Sequence, residues 1–166
     1  MKVIILDTDA LCVWLKVTDM DHCGPDADRW DCARVNTKIT QETAIGNLLV
    51  LPLATIIETG NHISQCRGDR FEIANRFKQI VLKAANHELP WAAIAKQNEL
   101  WSPDALITLI NNWPEQAAQK RSIGDVTIQS VAEFYARVGV DVEILTGDQG
   151  LKAYQPTPRK NPFSRR

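Results

Sequence analysis

A short buried strand that runs into two acids constrains this chain more than any other feature. Residues 3–15 read VIILDTDALCVWL, so four apolar residues come directly before Asp7, and Asp9 follows two positions later. A β-branched run without polar alternation is typical of a strand that is covered on both faces, as in a parallel sheet. A carboxylate at the end of such a strand is costly unless another group compensates its charge. The fold therefore has to supply a partner for these acids.

The composition indicates one globular domain, and its overall charge does not point to a nucleic-acid partner. The chain has 166 residues, 45% of them hydrophobic, which is enough for a single domain with a sizeable core. Its formal net charge of −1 argues against nucleic-acid binding by overall charge. A polyanion would have to be held by a local patch or by metal ions.

Neither of the two apolar segments at residues 3–6 and 48–57 has the features of a targeting signal or a membrane span. The run at residues 3–6 is too short for the core of a signal peptide. The stretch at residues 48–57 contains Pro52 and Thr55, and it is shorter than the roughly 20 residues that cross a bilayer. We therefore expect a cytoplasmic protein without a membrane partner. The four cysteines (Cys12, Cys23, Cys32 and Cys66) are expected to be reduced thiols, because with His22 and His62 they fit no common zinc spacing.

The order of apolar patterns predicts an α/β domain. Strands are expected at residues 2–6, 48–53 and 140–145, and helices at residues 10–17, 40–47 (capped by Thr40), 55–65, 71–86, 92–100, 103–112 and within 122–140. Residues 18–32 hold five aspartates and a Gly-Pro pair, which favours an acidic loop or excursion. The sequence thus predicts one domain over residues 1–158, with a mostly parallel central sheet flanked by helices. The basic residues 159–166 are predicted to be a disordered tail.

Four acids are expected to meet at one edge of that sheet. Ligand sites in open α/β sheets form outside the carboxyl ends of the strands. Asp7 follows the first strand and Asp148 the last, while Glu58 and Asp125 lie near the starts of helices that face the same edge. Converging carboxylates repel one another, and a hard cation such as Mg²⁺ or Mn²⁺ relieves that repulsion. Such a site suits phosphodiester hydrolysis. The alternative is structural: Asp7 and Asp125 would each cap a helix, and Asp148 would be a turn residue beside Gly147 and Gly150.

The segments VIILDTDAL, VLPLATIIETG, SIGDVTIQSVAEFY and EILTGDQGL resemble, in order and setting, the four acidic motifs of PIN-domain nucleases. The resemblance covers about residues 1–155. It implies a PIN-like three-layer fold and a ribonuclease that uses one or two Mg²⁺ or Mn²⁺ ions. It also implies that the catalytic metal ligands are Asp7, Glu58, Asp125 and Asp148, and that Thr146 holds a metal-bound water or a phosphate. Asp9 departs from the family, which commonly has Ser, Asn or Thr there; it either adds a ligand or caps the next helix.

The resemblance also carries a biological expectation. Many small bacterial members resemble VapC-type toxins, which implies RNA as the substrate, a small antitoxin protein as a partner and a homodimer. The excursion at residues 18–32 and the basic tail make this chain longer than most such toxins. A housekeeping or defence nuclease is therefore the alternative within the family.

Basic and aromatic side chains are the other candidates for contact with RNA. Lys120, Arg121 and Lys152 are candidates for contacts with the RNA backbone. The five tryptophans (14, 30, 91, 101 and 113) are expected in the core or at a dimer interface rather than stacked on bases.

Two alternative functions remain open. A haloacid-dehalogenase-like phosphatase is suggested by LDTDAL, although that chemistry needs a second late acid that TGDQGLK lacks. A catalytically inactive PIN-like module that only binds RNA or protein would have lost an acid, and all four are present.

Overall fold

The protein is an α/β domain built on a small parallel sheet, as the sequence predicted. A computed structural model describes residues 1–154 and residue 156. The tail predicted for residues 159–166 lies outside the described residues. The elements follow the order β1 (Lys2–Leu6), α1 (Thr8–Leu15), β2 (His22–Cys23), β3 (Trp30–Asp31), α2 (Cys32–Ala44), β4 (Leu48–Val50), α3 (Leu53–Gln65), α4 (Arg70–Ala85), α5 (Pro103–Ala118), α6 (Ile123–Arg137), β5 (Asp141–Leu145) and α7 (Gln149–Ala153). Short 3₁₀ helices occupy Asp26–Asp28 and Ile94–Trp101.

Strand β1 lies at the centre of the main sheet. The strand order is β4-β1-β5, and both pairings are parallel. Ile5 lies beside Val50 on one side and beside Ile144 on the other. All three strands therefore end at the same edge, which we call the carboxyl edge; the opposite one is the amino edge.

Helices cover both faces of this sheet. Ile4 and Leu6 belong to a core that includes side chains from α1, α2, α3 and α4. Val3 and Ile5 point the other way, into a second core formed largely with α6. Alternate residues of β1 thus serve opposite layers, which explains why the strand has no polar alternation. The three layers are consistent with a PIN-like arrangement. Among residues 1–154 and 156, no helix has the length and apolar character needed to cross a bilayer.

Helices α1 and α3 each begin two residues earlier than predicted, and Asp7 and Pro52 are the reasons. Helix α1 begins at Thr8 rather than at residue 10, because Asp7 is its N-cap. Strand β4 ends at Val50, and α3 begins at Leu53 rather than at residue 55. Pro52 holds extended backbone with φ −65° and ψ 148°, which ends the strand and starts the helix.

The prediction of a helix over residues 40–47 with Thr40 as its cap was wrong. Helix α2 runs over Cys32–Ala44, and the carboxylate of Asp31 accepts a hydrogen bond from the Arg34 amide at 2.8 Å. Asp31 belongs to the aspartate-rich stretch that the sequence suggested was a loop. Capping by this one aspartate extends the helix by two turns toward the amino terminus.

Two predictions around α5 were also wrong. Residues 92–100 do not form an α-helix, since Ile94–Trp101 is a 3₁₀ helix. Helix α5 does not end near Pro114 but continues to Ala118. Proline removes the donor to the carbonyl of Ile110, but Ile110 is 49% exposed, so water can satisfy that carbonyl.

Several other features agree with the sequence. Helix α4 buries Ile73 and Ala84, the apolar face that its periodicity predicted. Trp30 and Trp91 are buried in the core, and the other three tryptophans are partly buried. The excursion at residues 18–32 is not a plain loop, because β2 and β3 pair in an antiparallel hairpin (residues 22–31).

Candidate functional site

Asp7 is the buried acid at the carboxyl edge of the sheet. Its side chain follows β1 directly and is only 5% exposed. Its Oδ1 accepts from the Thr8 amide at 2.7 Å, and its Oδ2 accepts from the Thr146 hydroxyl at 2.6 Å. Burial raises the pKa of Asp7 to about 7, and the Thr146 hydrogen bond opposes this while the charges of Asp9 and Asp125 add to it. Both donors are neutral, so neither supplies the positive charge that this carboxylate lacks.

Thr146 connects Asp7 to the last of the predicted acids. The hydroxyl that donates to Asp7 also accepts from the Asp148 amide at 2.9 Å. Asp148 is exposed, and its Oδ1 accepts from the Leu151 amide at 2.8 Å, which caps α7. The buried Thr146 hydroxyl therefore links the end of β1 to the segment after β5 by hydrogen bonds.

Glu58 reaches the same edge from α3. Its Oε2 accepts from the Thr8 hydroxyl at 2.8 Å. Because α3 begins at Leu53, Glu58 is in the second turn of the helix rather than in its first. The carboxylate lies against Gly124 of α6, where an added Cβ would be 2.1 Å from Glu58 Oε1. Any side chain at Gly124 would displace this acid.

Asp125 follows Gly124 and is held by a capping box. Its amide donates to Ser122 Oγ at 2.9 Å, and its Oδ2 accepts from the Ser122 amide at 3.0 Å. This arrangement fixes the start of α6. The charge of Asp125 is close enough to Asp7 and Asp9 to raise the pKa of both.

Asp9 lies among the other acids and does not cap the next helix. The N-cap of α1 is Asp7, and Asp9 occupies the first turn. Burial raises the pKa of Asp9, His62 opposes the rise, and the charges of Asp148 and Asp125 add to it. Asp9 thus increases the negative charge of the site instead of neutralising it.

The structure brings the predicted acids to one edge through a chain of contacts. Thr8 follows Asp7 in the chain, and its hydroxyl donates to Glu58. Thr146 donates to Asp7 and accepts from the Asp148 amide. Glu58 lies against Gly124, the residue that comes before Asp125. Within the described ranges 1–154 and 156, however, no three His, Cys, Asp or Glu side chains are arranged to coordinate one ion. Asp125 and Asp148 each direct one carboxylate oxygen to the start of their own helix.

The donor set nevertheless fits a hard divalent cation. All the acids offer carboxylate oxygens, which Mg²⁺ and Mn²⁺ prefer. The raised pKa of Asp7 shows that its negative charge is disfavoured without a counter-charge. A cation at this edge would lower that pKa and relieve the repulsion among the acids.

Two of the three predicted RNA-binding cations line a cleft at this edge. A pocket of about 290 Å³ is lined by Lys120, Arg121, Asp125 and Asp148, among others. Arg121 Nη1 donates to Gln116 Oε1 at 3.0 Å. Lys152 lies elsewhere, since its ammonium is paired with Asp28 of the hairpin. The cleft therefore combines carboxylates with two basic side chains.

Sequence reasoning did not identify several residues that shape this edge. Thr8 and Gly124 orient Glu58, and Ser122 orients Asp125. For Thr8 the sequence does contain a sign of such a role, because its hydroxyl lies between two acids in the chain. The role of Gly124 depends on Glu58, 66 positions away in the chain, and no local pattern shows such a contact.

Comparison with known proteins supplies no relative. No family model, no curated protein and no solved structure matches the chain. The likeness to PIN-domain nucleases therefore rests on the four acidic motifs and on the architecture described above.

Proposed function

We propose that this protein is a metal-dependent endoribonuclease that hydrolyses RNA phosphodiester bonds at the carboxyl edge of the sheet. One observation carries the proposal: Asp7 is a buried carboxylate whose pKa is raised to about 7 and whose hydrogen-bond donors are neutral. Such a group gains most from a bound cation. Asp9 and Asp125 add negative charge around it.

Asp7, Glu58, Asp125 and Asp148 would hold one or two Mg²⁺ or Mn²⁺ ions. When bound, the metal supplies an activated water and stabilises charge on the phosphate oxygens. The role of Thr146 is to hold Asp7 in place by its hydrogen bond and to fix the Asp148 backbone. These two hydrogen bonds hold the Asp7 carboxylate and the Asp148 backbone at a fixed distance from each other.

The helix caps allow Asp125 and Asp148 to take part. Ser122 Oγ accepts from the Asp125 amide independently of the Asp125 carboxylate, so α6 stays capped if that carboxylate turns to a ligand. Asp148 accepts from the Leu151 amide through Oδ1, so its Oδ2 can turn to a metal while the cap of α7 stays in place. Neither acid therefore has to give up the start of its helix.

The basic side chains of the cleft would bind the substrate. Lys120 and Arg121 line the same pocket as Asp125 and Asp148. Cations that line the same pocket as the acids suit a phosphate of the bound RNA backbone. RNA is the proposed substrate from the family resemblance.

Mn²⁺-dependent cleavage of total cellular RNA by the purified protein tests the proposal. Cleavage should be lost in Asp7→Asn and Asp125→Asn and in the presence of a chelator. Ser122 is the N-cap of α6, and the side-chain oxygen of an asparagine can still accept from the Ser122 amide, so Asp125→Asn removes charge while keeping the capping box. Asp69→Asn is the matched control, because Asp69 caps α4 and accepts from the Glu72 amide at 3.0 Å.

Three outcomes would contradict parts of the proposal. No cleavage and no Mn²⁺ binding by calorimetry would favour a binding module without catalysis. Cleavage of single-stranded DNA in preference to RNA would overturn the substrate. Equal loss of activity in Asp69→Asn would show that folding, not metal binding, explains the other variants.

The toxin setting, the antitoxin and the homodimer stay predictions. Of the residues that the structure describes in α5, none is fully buried. Leu106, Ile107 and Ile110 are 41%, 56% and 49% exposed. Exposed apolar side chains on one helix support contact with another protein chain. Light scattering of the purified protein would measure its oligomeric state.

A further inference from the structure

The hairpin at residues 22–31 is in direct backbone contact with the segment between β5 and α7. A Cβ added at Gly147 would lie 2.4 Å from the Gly24 amide nitrogen and 2.8 Å from Cys23 Cβ. Gly24 has a φ of +84°, and a Cβ there would lie 2.5 Å from the Asp28 carbonyl oxygen. Both positions therefore require glycine, and this allows the two segments to approach so closely.

A charged link joins the same two parts of the molecule. The Lys152 ammonium of α7 is paired with Asp28 Oδ2 in the turn of the hairpin. Asp28 Oδ1 accepts from Arg34 Nη2 at 2.8 Å, and the Arg34 guanidinium lies 3.9 Å from the centroid of the Trp30 ring. Asp28 thus connects α7 to a stacked pair on α2 and β3.

The position of α7 determines the direction of the Asp148 carboxylate. The Leu151 amide donates to Asp148 Oδ1 at 2.8 Å, and Lys152 is the next residue. Unlike Asp7, Asp148 is exposed, so no buried packing holds its side chain. Whatever anchors α7 therefore also orients this acid.

We infer that the hairpin is part of the active site and that Asp28 is a positioning residue, which orients Asp148 by anchoring α7 through Lys152. The inference rests on the proposed function, in which Asp148 is a metal ligand. It gives residues 18–32 a purpose. It also gives Lys152 a role within the protein in place of the predicted contact with RNA.

Amide hydrogen exchange of the metal-free full chain tests the positioning directly. In Asp28→Asn, exchange at the Asp148 and Leu151 amides should become about fivefold faster, which is the scale for a partly exposed ion pair. Asp26→Asn is the matched control, because Asp26 is an exposed carboxylate on the same turn. The amides of β1 should keep their exchange rates in both variants, which separates local loosening from loss of global stability.

A second variant removes the other end of the link. Lys152→Gln should accelerate exchange at the same two amides, and it carries the test if Asp28→Asn does not fold. Unchanged exchange at Asp148 and Leu151 in the folded variants would overturn the inference. Equal acceleration in Asp26→Asn would overturn it too, because the effect would then not depend on the ion pair.

The kinetic consequence separates positioning from substrate binding. In Asp28→Asn, kcat for RNA cleavage should fall about tenfold while KM changes less than about twofold, because orientation of a catalytic group affects the chemical step. A raised KM with unchanged kcat would show that the hairpin binds RNA and would overturn the inference. If the parent protein neither binds Mn²⁺ nor cleaves RNA, the proposed function fails, and hydrogen exchange still decides whether Asp28 orients Asp148.

Discussion

The two edges of the parallel sheet both gather charged side chains, but only one of them is balanced. At the amino edge, two lysines and two glutamates form ion pairs; we call this the amino-edge cluster (Lys2, Lys38, Glu42 and Glu143). At the carboxyl edge, the acids around Asp7 repel one another. Carboxylates are therefore paired with cations at one end of the five-residue strand β1 and lie beside other carboxylates at its other end.

The pKa values of two carboxylates express this difference. Burial alone would raise the pKa of Glu42, but hydrogen bonds from Lys38, Lys2 and Asn47 lower it to about 2. Burial raises the pKa of Asp7 to about 7, and the neutral hydrogen bond from Thr146 does not outweigh it. The amino-edge cluster stabilises the folded chain, whereas the acids of the carboxyl edge repel one another. Under the proposed function, a bound cation would relieve that repulsion, and this contrast marks the carboxyl edge as the candidate functional edge.

The largest expected effect comes from Asp7→Asn. Cleavage of RNA should fall about 100-fold or more, because the buried ligand loses its charge. Without metal, Asp7→Asn should be more stable than the parent protein at neutral pH. The pKa of Asp7 rises from its ordinary value of 3.8 to about 7 on folding, so the parent loses stability as the pH rises between these values.

Thermal unfolding in a chelator measures this second effect. The Tm of Asp7→Asn minus that of the parent should be near zero at about pH 4 and should grow up to about pH 7. The Asp69→Asn control should show no such growth. A difference that shrinks with rising pH would mean that the folded protein stabilises the charged form of Asp7, and the contrast between the edges would fail.

Addition of Mn²⁺ should have the next largest effect. A ligand that binds only the folded state at a hundredfold excess over its Kd stabilises by roughly 2.7 kcal/mol. We expect the Tm of the parent to rise with Mn²⁺ concentration and the Tm of Asp7→Asn to stay constant. A rise in Tm that is equal in both proteins would place the ion away from Asp7.

Removal of the cations from the amino edge should cost stability rather than activity. Lys2→Met combined with Lys38→Met leaves two partly buried glutamates without their cationic partners, and we expect a loss of about 2 kcal/mol at neutral pH. The folded-state pKa of Glu42 is depressed, so this loss should shrink as the pH falls from about 4.5 to about 2. Urea unfolding at several pH values measures it, with Lys78→Met on the exposed side of α4 as the control.

The smallest expected effect is a shift in the pH dependence of metal binding in Thr146→Val. The Thr146 hydrogen bond lowers the pKa of Asp7, so its loss should raise that pKa further. Mn²⁺ competes with the proton, and the midpoint of its binding should move to higher pH by about 1 unit. Calorimetry between about pH 5.5 and 8.5 measures the shift, and Thr43→Val on α2 controls for loss of a hydroxyl. An unchanged midpoint would mean that Thr146 does not act on Asp7.

The parts of the fold that could be predicted are those whose cause is local. β1 is an uninterrupted β-branched run, and α4 shows its apolar face by helical spacing, so both were found within a residue or so of their bounds. Helix α2 was placed wrongly because its start depends on Asp31, one of several aspartates that also favour loops. The hairpin strands have two residues each, too few to show alternation.

The residues of the candidate site also divide into those that a local pattern predicts and those that tertiary packing brings together. Asp7 and Asp148 were recognisable because Asp7 follows an apolar strand directly and Asp148 lies two residues beyond the Thr146 that follows β5. The support of Asp7 by Thr146 spans 139 positions, and the contact of Gly147 with Gly24 is made by backbones without side chains. Contacts of this kind leave no pattern in a single sequence, because they are decided by tertiary packing.

The order of the strands also has a consequence for synthesis. Of the three strands of the main sheet, the ribosome makes β1 first, yet β1 lies between β4 and β5, and β5 is made last. Asp7 consequently stays apart from Thr146 and Asp148 until residue 148 has left the exit tunnel. A nascent chain therefore cannot assemble the acidic edge before β5 has emerged, and under the proposed function the nuclease would be inactive while β5 is still being made beside the RNA that encodes it.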